Sequence, residues 1–393
     1  MPRGTNTVRM QRRTLVAAML LGMTGCGGGG TGGTGGTGSP FAAPGTGGTG
    51  SVASYPIFSF GSISGFGSVI VNQVRFDDSS ASIRLDGQSA TSAQLGLGMT
   101  ISVSGEAAGP DATSALASSL ESWSIAQGAV TARTASSVTV AGMMITVNAA
   151  TVYGGAVAWP AIAVGDMVKV WGVPSGAGYT SWTATRIEPA AGAARLISSG
   201  VVKQVSGQLA LNGYSLAGAI STLATGQVVT VSGNLAGGTL TVAGIHLLDA
   251  LPVIAVGTLM EREGAITAVT SATQFLLGNY GVDASDALIT PAGTHPVVGA
   301  RVEVYGTWNG NTIVARKLEY QTLSQLQEVE LEAAITQFNS VADFVVRDLH
   351  CDASGLSSVG NGRLSDLRVG LRVHLQGINT GGTVRVTKLE ISG

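Results

Sequence analysis

The chain has 393 residues, of which 11% are charged and 5% aromatic, with 58 glycines and a formal net charge of −2. This composition favours short strands and tight turns over long helices, and the length exceeds one ordinary domain of about 150 residues. The charge lacks the basic excess that nucleic-acid binding requires.

The first 25 residues read as a secretory signal. Arg3, Arg9, Arg12 and Arg13 precede an apolar run, Leu15 to Met23, that leads into Thr24-Gly25-Cys26. The run is shorter than the roughly 20 apolar residues that span a bilayer. Its end resembles a bacterial lipobox, in which small residues precede a cysteine that is lipidated and becomes the mature N-terminus; Met23 stands where leucine is usual. The pair Arg12-Arg13 leaves a twin-arginine export signal as the alternative. Removal of residues 1–25 takes away four arginines and no acid, which moves the net charge from −2 to about −6. With Cys26 acylated, Cys351 has no intrachain disulfide partner.

After Cys26 comes a Gly/Thr-rich stretch of 24 residues, which as a flexible coil has an end-to-end distance of roughly 25 to 30 Å. Residues 30–35 and 45–50 match G-x-G-x-x-G, but neither follows a strand nor opens a helix as a dinucleotide site requires.

Beyond the tether one pattern recurs five times: GMTISVSG (98–105), GDMVKVWG (165–172), GQVVTVSG (226–233), GARVEVYG (299–306) and GLRVHLQG (370–377). The glycines are seven residues apart, and apolar residues at the third and fifth interior positions alternate as in a strand with one buried face. Ile101 and Val103, Val168 and Val170, Val229 and Val231, Val302 and Val304, and Val373 and Leu375 are predicted to point inward, and Lys169 and Trp171 outward. Each pattern follows a short opening strand and a two-residue turn, at Asn72-Gln73, Ala141-Gly142, Asn212-Gly213, Gly278-Asn279 and Arg347-Asp348. Each is followed by a closing strand ending in an aliphatic residue and then Glu121, Glu188, His246, Glu319 or Glu390.

Five strands in about 55 to 70 residues match a small, partly open barrel of the OB type, with a small sandwich as the alternative. The predicted fold is all-β: a signal peptide (1–25), a lipidated cysteine and linker (26–54), and OB-like units at 55–122, 123–190, 194–250, 253–320 and 327–393. Units of this size bury only about 60% of their unfolded surface, so neighbours are expected to pack at their junctions. Residues 321–327 have room for a brief helical turn. The third unit is degenerate, lacking about ten residues before Gly226, which leaves open whether its barrel is complete.

The repeats resemble the bacterial domain of unknown function 5666, which recurs in tandem in predicted cell-envelope lipoproteins. The resemblance rests on GFGSVIVNQVRFD in unit one, VGDMVKVWG with TATRIE in unit two, and VGARVEVYG with VARKLE in unit four. It implies an OB-like barrel and an envelope location and supplies no catalytic or binding residues. Gly27, at the position where aspartate signals inner-membrane retention, together with the resemblance points to an outer-membrane lipoprotein exposed to the periplasm.

No catalytic constellation is visible. The nearest approach to G-x-S-x-G, residues 61–65, carries isoleucine at its centre, and His246, His295, His350 and His374 lack companions at metal-ligand spacing. No cofactor is implied. Cys351 aligns with Val282 and reads as an apolar strand residue; Asp77-Asp78 and Asp86-Gly87 read as turns, and His374 as a solvated surface residue. An acid pair separated only in space remains an alternative route to enzyme chemistry.

The positive signal is aromatic: Trp123, Trp159, Trp171 and Trp182, with Tyr153 and Tyr179, all fall between residues 123 and 182. Exposed aromatics on a β surface can stack on sugars or anchor a partner, which makes Trp171, Lys169, Tyr179, Trp182 and Tyr305 the candidate binding surface; the alternative is that Trp171 is covered by a neighbouring unit. The resulting expectation is a non-enzymatic, lipid-anchored array that binds polysaccharide, peptidoglycan or an envelope protein, with a purely structural spacer as the second reading.

Overall fold

The computed structural model describes residues 54–155, 159–190, 192, 195–248 and 250–392. The predicted signal peptide, Cys26 and nearly all of the predicted linker lie outside the described residues. Residues 50–393 form one compact unit, and it is all-β apart from short 3-10 turns and one helical turn at Leu323–Leu326. That turn falls where the linker had room for it, capped by Thr322, whose Oγ1 accepts from the backbone N–H of Gln325 at 3.3 Å.

One pairing scheme recurs in five stretches. In the first, an opening strand (Tyr55–Phe66) pairs with a hairpin (Val69–Val71 and Val74–Asp77) and with the glycine-flanked strand (Thr100–Ala107). A closing strand (Ser114–Ser122) then pairs antiparallel with the glycine-flanked strand and parallel with the second hairpin strand, which closes a five-stranded ring. This is the order of an OB barrel. The other rings open at Ala126–Arg133, Leu196–Val201, Leu259–Val269 and Glu328–Ser340. The third ring also closes, through the parallel pairing of Tyr214–Gly218 with Thr239–Leu247. What its missing residues remove is an accessory strand, present as Ser82–Leu85, Val152–Tyr153 and Leu288–Thr290 in the first, second and fourth barrels.

The recurring octet is explained by its two glycines. The first, at Gly98, Gly165, Gly226, Gly299 and Gly370, has φ between 79° and 99°, a left-handed turn that disfavours a side chain. The second, at Gly105, Gly172, Gly233, Gly306 and Gly377, lies at a bulge against the closing strand. A Cβ there would lie 2.0 to 2.7 Å from a closing-strand carbonyl oxygen. The ten residues predicted to point inward are all buried. The five hairpin turns fall where predicted, and their first residues, Asn72, Ala141, Asn212, Gly278 and Arg347, all take positive φ.

Packing between barrels follows from a geometric mismatch. In the first barrel the opening strand starts before its hairpin partner does, so Ile57–Phe60 has one edge without a partner in its own ring. Unpaired edges are a liability, and this one is covered by Leu259–Arg262 of the fourth barrel in a parallel pairing. Gly65-Phe66 pairs in the same way with Glu330-Leu331 of the fifth, and Ala126-Gln127 pairs with Ile197-Ser198 of the third. The first barrel is therefore a hub. Its apolar core is continuous with that of the fifth, whereas the second, third and fourth barrels keep separate cores.

Candidate functional site

The candidate residues begin with Lys169 and Trp171, which alternation turns away from their own barrel. Both do point away, but into a junction. Trp171 is 1% exposed, packs into the core shared by the first and fifth barrels, and donates Nε1–H to Ser122 Oγ at 3.0 Å. Lys169 lies over the Trp171 ring at 4.9 Å and pairs with Asp86 of the first barrel at 2.6 Å. Trp171 is therefore no exposed stacking platform but is covered by a neighbouring unit, the other reading of its outward position: the first barrel covers the indole, because a large apolar ring is more stable against another core than in water.

Trp182 is likewise not a surface residue; it is 4% exposed and belongs to the core of the second barrel. Tyr179 is half-buried, and its hydroxyl stands 2.9 Å from where a Cβ on Gly278 of the fourth barrel would lie. Tyr305 is half-buried at the seam with the first barrel, where its hydroxyl donates to Glu303. The five residues are not one surface. Trp123 stacks on His246 of the third barrel, with ring centroids 4.0 Å apart.

Sequence reasoning missed two polar centres. One is Arg186, 2% exposed, whose guanidinium pairs with Glu188 and with Asp348 of the fifth barrel and donates to the carbonyl of Leu97 in the first at 2.9 Å. The other is the seam between the first and fourth barrels. There Glu261, Glu263 and Glu303 are all under 10% exposed, on strands whose register sets Glu263 opposite Glu303 and Glu261 opposite Tyr305. The first barrel contributes Ser59, opposite Glu261, and the turn Asn72-Gln73. The available signal was an excess of acids at alternating outward positions, in MEREG (260–264) and EVELE (328–332).

Other expectations also meet particular contacts. His374, read as solvated, is half-buried, with Nε2 at 2.6 Å from Glu330 Oε1; Glu330 is also paired with Arg75 of the first barrel. Cys351 is fully buried in the core, and burial pushes its thiol up to about 12, which fits packing and opposes thiolate chemistry. Asp77 accepts from the N–H of Ser79 as a turn residue does. Among the described residues, no three or more His, Cys, Asp or Glu are grouped so as to hold a metal ion.

Open concave surface lies at one end of the second barrel. Two grooves of about 460 and 480 Å³ share Ile162; one is lined by Arg133 and Val164, the other by Asp166, Met167 and Glu188. Arg133 stacks on Trp159 at 4.3 Å and donates to its carbonyl at 2.9 Å, while Val164 is 64% exposed. One groove thus offers a cation, stacked on an aromatic ring, with an exposed aliphatic residue, and its neighbour offers two carboxylates.

No curated protein matches the chain. Residues 127–188 and 263–319 match a family model described as a domain of unknown function (DUF5666), and these segments are the bodies of the second and fourth barrels. The second and fourth barrels are therefore copies of this domain, set in a chain that repeats their strand pairing.

Proposed function

We propose that the chain is a non-enzymatic, lipid-anchored protein of a bacterial envelope, held by Cys26 to the outer membrane and facing the periplasm. Its barrels form an interaction head that binds envelope polysaccharide or peptidoglycan, or an envelope protein, at the open end of the second barrel. One observation carries this reading: the outward faces of the glycine-flanked strands in the second and fourth barrels, and of the opening strand in the fifth, meet the first barrel, whereas the Arg133 and Val164 groove stays open. A spacer would gain length from barrels strung end to end, but the fourth barrel returns to pair with the first.

The test is a fluorescence titration of the full chain with envelope polysaccharides and peptidoglycan fragments, with Trp159 beside the groove as reporter. Saturable binding that is lost in Arg133→Ala and Val164→Asp supports the reading. Binding unaffected by both substitutions, or no binding to any probe, removes the second-barrel site. Turnover abolished by changing one acid removes the non-enzymatic part. Cys26→Ser should release the protein from the membrane fraction; retention of the variant there would contradict the anchor.

A further inference from the structure

The seam between the first and fourth barrels holds more buried negative charge than its cations neutralise. Four acids line the fourth-barrel side: Glu261 and Glu263 on the opening strand, Glu303 on the glycine-flanked strand (Arg301–Trp308) and Glu319 on the closing strand (Thr312–Tyr320). The nearby cations have partners other than Glu261 and Glu303. Arg301 pairs with Glu263 at 2.6 Å, Lys317 with Glu319 at 2.8 Å, and Arg316 with Asp111 of the first barrel at 3.1 Å. Arg262, on the same strand, packs on the rings of Phe60 and Tyr280. Among the described residues neither Glu261 nor Glu303 has an ion-pair partner, and Arg316 and Lys317 act on Glu261 only from a distance, more weakly than burial and Glu303 oppose its charge.

Their neutral partners come from both barrels. Glu303 accepts from Gln73 at 3.3 Å, from Gln321 at 2.7 Å and from the Tyr305 hydroxyl. Tyr305 also bonds the carbonyl of Asn72 at 3.4 Å. Glu261 faces Ser59, which accepts from Asn72 Nδ2 at 2.9 Å, and the Oε2 of Glu261 is buried without a hydrogen-bond partner. An ionised carboxylate with a bare buried oxygen is costly, whereas the protonated form is not.

We propose that this seam is a pH-operated joint, closed while Glu261 and Glu303 carry at most one negative charge between them and loosened when both ionise. Loosening lets water and counter-ions reach the carboxylates, at the expense of the pairing between Ile57–Phe60 and Leu259–Arg262. Burial, reinforced by Glu303, pushes Glu261 up to about 8, and burial above all pushes Glu303 up to about 7. Because both lie above the ordinary 4.5, their contribution to closure is complete below that value. It is lost as pH rises through 7 to 8.

The experiment is hydrogen exchange on the full chain at pH 6 and pH 9, corrected for the intrinsic rate. The joint requires protection at Ile57–Phe60 and Leu259–Arg262 to fall at least about tenfold at pH 9, while the seam of Ala126-Gln127 with Ile197-Ser198 holds constant. In Glu261→Gln most of that fall should disappear. Equal protection at both pH values in the wild type, or an undiminished fall in the folded variant, overturns the joint. Should Glu261→Gln fail to fold, infrared spectroscopy of the wild type decides. A buried carboxylic-acid band at pH 6 that vanishes by pH 9 supports the joint, and its absence at pH 6 refutes it.

Discussion

Arg186 of the second barrel and Asp348 of the fifth form an ion pair across 162 residues of sequence, and Arg186 also reaches the backbone of the first barrel at Leu97. One guanidinium ties three barrels. Burial opposes its charge, but Asp348 and Glu188 outweigh that and hold its pKa above the ordinary value. Removing one member of such a pair strands the rest. Arg186→Ala is expected to lower the unfolding free energy by about 3 kcal/mol. Asp348→Asn, which leaves Glu188 as a partner, should cost about 1 to 2 kcal/mol. Denaturant unfolding of both variants checks the order.

Trp171 should behave as a core residue. Trp171→Ala is expected to cost about 3 to 5 kcal/mol, and the native protein should lose blue-shifted emission in the variant. An unchanged spectrum with unchanged stability would mean that the first barrel does not cover it.

The two glycines of the octet should fail differently. Gly233→Ala drives a Cβ to 2.0 Å from the Thr241 carbonyl oxygen, whereas Gly226→Ala meets no atom within 4 Å and strains only a φ of 93°. The second change should cost about 1 to 2 kcal/mol, and the first more than about 3 kcal/mol. Comparison of their denaturation midpoints tests this.

The seam between the first and fifth barrels should respond to pH through His374 and Glu330. The hydrogen bond to Glu330 raises His374 above its ordinary value. Burial opposes ionisation of Glu330, but the bonds from His374 and Arg75 outweigh it and keep the carboxyl below its ordinary value. The histidine's contribution is complete below 6.5 and is lost as pH rises through its raised value. That of Glu330 is complete above 4.5 and is lost as pH falls through its lowered value. Thermal melts of His374→Gln should show a flatter pH dependence above pH 6 than the wild type; parallel curves would refute the assignment.

Much of each barrel was legible in the sequence, because alternation, turn chemistry and glycine spacing are local. Val168 and Val170 had to face a core, and Asn212-Gly213 had to turn. What covers an outward residue is not local. Alternation turned Trp171 away from its own barrel but carried no information that Ser122, 49 positions earlier, would receive its N–H. Glu261 and Glu303 were invisible as a pair for the same reason, since their burial is made by Ser59 and Gln73 of another barrel. Closure of the third ring stays open in the sequence because a residue count does not say which strand is shortened; the absent residues belong to a strand outside the ring.

The parallel pairing of Ile57–Phe60 with Leu259–Arg262 also sets an order of events during synthesis. Each ring closes over neighbouring sequence and can form soon after it emerges. The first barrel's exposed edge must wait for a partner some 200 residues behind it in the chain. Contacts at such separation form late and leave sticky intermediates while they are missing. A nascent chain halted after its third barrel therefore carries an uncapped strand, which makes the fourth barrel the chain's own chaperone for the first.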